Sequence, residues 1–329
     1  MPRLLLLFLC CLSANIMAAQ IVSGNVLDAK TNAPLPGATI YFDGTTLGSI
    51  SDLDGSFSIR TQTKSSSPLI VSFVGYETVI VEDPYAAAPL TIYLKEASVD
   101  LEEVIVTPDK FSRAKKLAAF RLLFLGQQKI ETDCRILNEE VLQFYFDQKL
   151  NTLHASASEP LIIENTYLGY RIRYNLVEFV AQSRMGSLQA NMIKRTIYFG
   201  TSFFEDTSGG KRRYKKRRKA AYEGSALQLM RILTDQEIDE RQEFKFYVKT
   251  RFVEKELLVD YVKYGTYYKL RFKSHFRVRH KDQISLLQPA ADYLVVDGFG
   301  NFLPTEGLIF SGHIANQRVA VLLPMDYGM

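Results

Sequence analysis

The chain has 329 residues, enough for two domains with separate cores, and its 47% apolar and 23% charged content excludes a disordered polypeptide. Forty Lys and Arg against 36 Asp and Glu leave a net charge of only +4, which does not force a nucleic-acid partner, and none is expected. Four His leave little room for His-based catalysis or metal sites, and with no Trp, core filling and stacking fall to 18 Tyr and 21 Phe.

Residues 1–19 read as a secretory signal peptide. Arg3 supplies the positive start, Leu4 to Leu12 the apolar core, and Ile16-Met17-Ala18-Ala19 the small residues at a cleavage site. The apolar run is well short of the ~20 residues that span a bilayer, so the mature chain is expected to carry no transmembrane helix. Cys10 and Cys11 lie in this segment, and Leu9 ahead of Cys10 is not the small residue that bacterial lipidation requires. Cleavage leaves Cys134 alone, with no intramolecular disulfide to form.

Residues 20–96 read as a small β-sandwich. Val22, Gly24 and Val26, then Ile40 and Phe42, alternate with the period of half-buried strands. The loop Asn32-Ala33-Pro34-Leu35-Pro36-Gly37 interrupts them, because its prolines fix φ and remove donors. Asp52-Leu53-Asp54-Gly55 is a turn in which Gly55 takes positive φ. Asp-x-Asp-Gly also opens a calcium loop, but Ser56-Phe57-Ser58-Ile59-Arg60 lacks the required Glu, and the turn reading wins. Phe57, Ile59, Leu69, Val71 and Phe73 point to one core, Tyr76 packs at its end, and Leu90, Ile92 and Leu94 form the last strand. This series, from Gly24-Asn25-Val26 to Val74-Gly75-Tyr76, resembles the carboxypeptidase regulatory-like domain, a transthyretin-like sandwich of Gram-negative envelope proteins. The resemblance implies an envelope location and no peptidase activity for the domain itself.

Residues 97–111 read as a linker. Leu101-Glu102-Glu103-Val104-Ile105-Val106-Thr107-Pro108 resembles the segment that follows this domain in TonB-dependent receptors. Residues 112–329 lack a regular succession of ten-residue alternating strands, so the receptor barrel is not expected to follow.

Ser112 is a good N-cap for a helix with Leu117, Phe120, Leu123 and Phe124 on one face. Strand-like runs follow at 141–146, 152–155, 161–163, 170–174, 193–200, 244–253, 257–264, 267–279, 293–296, 308–311 and 318–323. The short spacings predict antiparallel hairpins. The fold class is therefore mainly β: a transthyretin-like or Ig-like sandwich followed by an α+β domain with a large antiparallel sheet over 112–329. Cys134-Arg135-Ile136-Leu137-Asn138, Pro160 to Asn165, Ala221-Tyr222-Glu223-Gly224-Ser225 and Asp297-Gly298-Phe299-Gly300-Asn301 are similar to a family of secreted or envelope proteins with this two-part layout. That family carries no assigned activity. Its pattern leads to His near position 228, where this chain has Gln228.

The densest chemical feature is the run Lys211, Arg212, Arg213, Tyr214, Lys215, Lys216, Arg217, Arg218, Lys219, with eight cations in nine residues. Such a run stays solvated or meets an anionic partner. The candidate partners are an envelope protein or an anionic lipid or glycolipid surface. Tyr167, Tyr170, Tyr174, Tyr261, Tyr264, Tyr267 and Tyr268 either line a cleft or, as strand aromatics usually do, fill a core. Glu164, Glu178, Asp260, Asp292 and Asp297 are the acids available to an acid/base pair. His275 and His280 lie five apart in one strand and face opposite ways, which argues against a shared metal. No catalytic residue, metal or cofactor is assigned. The reading is a non-enzymatic binding or assembly protein of the envelope, exported to the periplasm or outer membrane. The alternative is a hydrolase of peptide or glycan with its site in the second domain.

Overall fold

The computed structural model describes residues 20–61, 64–65, 67–87, 89–97, 110–126, 133–234, 243–304 and 307–329. Residues 1–19, expected to be a signal, and most of 97–111, expected to be a linker, lie outside the described residues. The first domain is a seven-strand sandwich: β1 (Gln20–Asp28), β2 (Thr39–Phe42), β3 (Gly48–Ile50), β4 (Ser56–Thr61), β5 (Leu69–Ser72), β6 (Val79–Val81) and β7 (Leu90–Leu94). One sheet runs β4-β1-β7 and the other β3-β2-β5-β6. β7 lies parallel to β1, and every other pairing is antiparallel. The period-two pattern buries Val22, Val26, Phe57, Ile59 and Ile92 of one sheet against Ile40, Phe42, Leu69 and Val71 of the other.

Local chemistry closes its loops. Gly55 has φ +76° and donates its N–H to the Asp52 carbonyl at 2.9 Å, so the Asp-x-Asp-Gly segment is a turn, with Asp54 Oδ1 accepting from Ser56 N at 3.0 Å. The Tyr76 hydroxyl donates to Asp28 Oδ2 at 2.8 Å, while Asp28 Oδ1 accepts from Thr31 N and Lys30 N. The bond from the Thr31 backbone is the main reason that the Asp28 carboxyl titrates low, near about 2.

The rest of the chain is α+β. Helix α1 (Arg113–Phe124) precedes β8 (Cys134–Ile136), β9 (Leu142–Asp147), β10 (Thr152–Ala157), β11 (Leu161–Asn165), β12 (Tyr170–Ser183) and β13 (Ile193–Asp206). The long strand β12 organises this sheet. β13 follows one edge along its whole length, while β11 and β10 divide the other edge between them. Ser112 caps α1 by accepting from Lys115 N, and Phe120 and Phe124 of α1 pack on Phe179 and Tyr174 of the sheet at ring separations of 4.7 and 5.1 Å. Cys134 is buried in this core, and burial pushes its thiol up to about 12, so it is unreactive as a thiolate.

Two further helices follow, α2 (Arg212–Tyr222) and α3 (Ala226–Leu233). Then come β14 (Phe244–Val248), β15 (Arg251–Val253), β16 (Val259–Tyr264), β17 (Tyr267–Phe272), β18 (Phe276–His280), β19 (Gln283–Pro289), β20 (Leu294–Val296), β21 (Phe302–Leu303), β22 (Leu308–Gly312) and the single turn α4 (His313–Asn316). They build a sheet β15-β14-β18-β19-β22 and a sheet β16-β17-β20-β21, with Leu229, Met230, Ile232 and Leu233 of α3 in the core they share. The strand predicted at 318–323 is instead a 3₁₀ turn over Val319–Val321. Its apolar residues are buried because the segment caps the first core, with Ala320 N bonded to Leu125 O and Ala320 O accepting from Asn165. No described helix is long and apolar enough to cross a membrane.

The sandwich is seated on the second part through the loop after β2. Gly44 N donates to Ser202 O at 2.7 Å, Phe204 N to Thr45 O at 3.0 Å, and Ser202 N to the Asp43 carboxylate at 2.6 Å. The C-terminal segment clasps the same loop: Met325 N bonds Gly44 O, and Asp326 accepts from both the backbone and the hydroxyl of Thr46. The Tyr41 and Phe203 rings meet at 5.2 Å, tilted by 37°.

Candidate functional site

The basic run forms the helix α2, with Lys211 at its N-cap. Asp206 at the end of β13 accepts from Ser208 N at 2.8 Å, and Gly209 and Gly210, both at positive φ, reverse the chain into α2. Lys211 stands at the N-cap and offers no capping side chain, and no acid occupies the first turn. Cations at the positive end of a helix dipole are unfavourable, so this start is held by what packs beneath it rather than by its own charges.

The inner face carries Tyr214, Arg218, Ala221 and Tyr222, one helical turn apart. Tyr214 is buried beside Gly169, where φ is +71° and a Cβ would lie 2.9 Å from the Tyr214 ring, so the position favours glycine. Arg218 is the anchor. Its guanidinium makes a two-pronged pair with Asp206 at 2.8 and 2.9 Å, donates to the carbonyls of Leu168 and Gly169 at 2.8 Å each, and lies 3.8 Å over the Tyr170 ring. The Arg218 hydrogen bonds hold the Asp206 carboxyl well below the usual carboxylate range. Arg218 therefore does not belong to a solvated patch; it is 8% exposed and spent on the fold. Arg217 is half-buried, donating to Tyr167 O at 3.1 Å over the Tyr167 ring.

The outer face keeps six exposed cations: Lys211, Arg212, Arg213, Lys215, Lys216 and Lys219. Arg212, Lys215, Lys216 and Lys219 share one stripe by their i, i+3, i+4, i+7 spacing. None of the six is in an ion pair among the described residues. Glu223 just past the helix is held by Lys281 at 2.9 Å, the main reason that its carboxyl titrates low. Lys219 stands close enough to Glu223 to help hold its carboxyl low, and the other five form a single-sign surface with no ion pair among the described residues.

The other sequence candidates do not converge. Tyr170 and Tyr174 are core residues, Tyr167 and Tyr268 are half-buried, and Tyr261, Tyr264 and Tyr267 are exposed on the β16–β17 hairpin. Glu164 pairs with Arg135, Asp260 with Lys273, Glu178 and Asp292 are exposed, and buried Asp297 accepts from Phe299 N and Asn301 N in a turn. His275 is exposed while His280 is buried beside Glu243 at 3.1 Å. What sequence reasoning missed was the split within the basic run. The signal was present: Tyr214 and Tyr222 mark an inner face, and Arg218 stands midway between them.

Residues 22–106 match the CarboxypepD_reg-like domain family. A stretch of 95 residues is 34% identical to the TonB-dependent receptor SusC of Bacteroides thetaiotaomicron, covering 29% of this chain and 9% of the receptor. The chain thus spans less than a tenth of that curated relative. Among solved structures, a 9R-lipoxygenase from Cyanothece PCC8801 aligns with 64% of this chain and 45% of its own at 12% identity. Its TM-score of 0.17 carries no argument about the fold.

Proposed function

We propose that this is an exported protein of the Gram-negative envelope, in the periplasm or at the outer membrane, that binds or assembles there without catalysis. The likeness of its first domain to part of a TonB-dependent receptor and the signal-like pattern of residues 1–19 support the location. The sandwich acts as a docking module, and residues 112–329 carry the binding function. The carrying observation is the outer face of α2, where six exposed cations stand with no ion pair among the described residues. A basic helix face laid on an anionic lipid or glycolipid surface gains about 1 kcal/mol per cation. That gain also relieves the repulsion at the start of α2.

Flotation with phosphatidylglycerol vesicles and with neutral phosphatidylcholine vesicles tests the reading. The mature chain is expected to float with the anionic vesicles alone, and the bound fraction is expected to fall between 50 and 500 mM salt. Equal flotation with both, or binding that ignores salt, contradicts it.

A further inference from the structure

The sheet β15-β14-β18-β19-β22 buries one face through Phe244, Phe246, Phe276, Val278 and Leu287. On its other face Lys245, Phe252, Arg277, Arg279, Ile284 and Ile309 are all exposed. The register sets Phe252, Tyr247, Arg277, Leu286 and Ser311 in one row across the five strands. Lys245, Arg279 and Ile284 form the next row, so Lys245 and Arg279 stand directly opposite each other on neighbouring strands.

Like charges in directly opposed positions, with Cβ atoms about 5 Å apart, destabilise a sheet. Arg277, two residues along β18, adds a third cation about 7 Å away. No strand residue on this face is Asp or Glu, and none of the three cations is in an ion pair among the described residues. Arg277 is anchored by donating to Lys249 O, and the Arg279 guanidinium lies 6.0 Å from the Tyr247 ring. The cations thus form a stripe down the middle strands, with Tyr247 and Phe252 on one flank and Ile284, Leu286 and Ile309 on the other. A face that enters a lipid layer has the reverse order, apolar side chains at its centre and cations at its rim. A nucleobase platform needs aromatic rings open for stacking. Here Phe252 meets Tyr247 edge-on at 78°, and Tyr247 is engaged by Arg279. A cationic stripe between apolar flanks fits a linear polyanion whose uncharged parts have apolar faces. An acidic polysaccharide is such a polymer: carboxylates or sulfates recur along it, and the C–H faces of its sugar rings lie on aromatic and aliphatic side chains.

We infer that this sheet face binds a linear acidic polysaccharide, with its anionic groups on Lys245, Arg277 and Arg279 and its sugar rings against Tyr247 and Phe252. The site uses none of the α2 cations and goes beyond the surface reading given above.

The test is calorimetric titration of a heparin hexasaccharide into the mature chain carrying Arg212→Gln, Lys215→Gln, Lys216→Gln and Lys219→Gln, which removes any contribution from α2. Saturable binding that weakens as salt rises is expected. Maltohexaose, an uncharged glycan, is expected to bind at least about tenfold more weakly. Adding Lys245→Glu is expected to weaken the hexasaccharide at least about tenfold and to raise the melting temperature, because it turns the opposed pair with Arg279 into one of opposite charge. Lys245→Gln with Arg279→Gln is expected to weaken binding with no fall in melting temperature, which separates lost contacts from lost folding. No saturable binding of the hexasaccharide, binding that neither folded variant weakens, or an oligothymidylate that binds as tightly overturns the inference. Each of these results leaves the proposal for α2 standing, since the α2 cations are absent from the titrated chain.

Discussion

At the scale of single residues, conformation and burial decide more than residue type. Gly55 holds φ +76°, and a Cβ there would lie 2.6 Å from Val26 O. Gly55→Val is therefore expected to lower the stability of the sandwich by about 1 kcal/mol or more, read as a loss in thermal melting. Calcium is expected to leave the wild-type melting temperature unchanged; a calcium-dependent rise would contradict the turn assignment. Asp43 shows the opposite case, a residue whose importance no local pattern announces. Burial at the contact between sandwich and β13 raises its carboxyl to about 6, against the bonds from Ser202 and Gly44. The folded state thus holds a proton that the unfolded chain releases near pH 4, so the contribution of Asp43 falls as pH rises from about 4 to about 6 and stays low above. Asp43→Asn keeps an oxygen for Ser202 N. Relative to wild type it is expected to melt higher at pH 7, with the difference vanishing by pH 4. A constant difference across that window would contradict the assignment.

At the scale of elements, periodicity is a good guide to strands with one buried face and a poor one elsewhere. β1, β4 and β7 alternate cleanly in sequence and in burial, and Ser112 starts α1 where its side chain predicts. β19 escaped notice because Gln283, Ser285 and Gln288 break up its apolar residues, although Ser285 and Leu287 are buried between two neighbouring strands. The segment at 319–321 was misread because burial by a cap and burial in a sheet leave the same apolar trace. In the run 211–219 the sequence shows eight cations, and Tyr214 and Tyr222 mark the inner face, but the fold is needed to set Arg217 and Arg218, which meet Tyr167 and Tyr170, apart from the six that face solvent. Arg218→Gln is expected to destabilise the protein by about 2 kcal/mol, since it strips charged hydrogen bonds from two carbonyls and from Asp206. Lys215→Gln with Lys216→Gln is expected to stay within about 0.5 kcal/mol of wild type in chemical denaturation. A reversed order of these two variants would show that the inner and outer faces are wrongly assigned.

At the scale of the whole molecule, the sandwich was legible from its own residues because β1, β4 and β7 each carry an alternating apolar face, although β1 and β7 pair as far apart as Gly24 and Leu90. Its seat on the second part was not. Thr46 and Asp326 are 280 residues apart, and the bonds that join them are polar and carry no periodic signature. The proposed export concerns the whole chain. N-terminal sequencing of protein recovered from the envelope fraction is expected to start at or near Ala19 or Gln20, with no lipid on Cys10 or Cys11. Intact Met1, or an acylated Cys, would contradict it. The central claim is that α2 offers its outer cations to an anionic surface while Arg218 belongs to the fold. It is tested most directly by co-sedimentation with phosphatidylglycerol vesicles at low salt, comparing wild type with the variant carrying Arg212→Gln, Lys215→Gln, Lys216→Gln and Lys219→Gln. The account predicts a folded variant that has lost most of its vesicle binding. A folded variant that binds as well as wild type would contradict it.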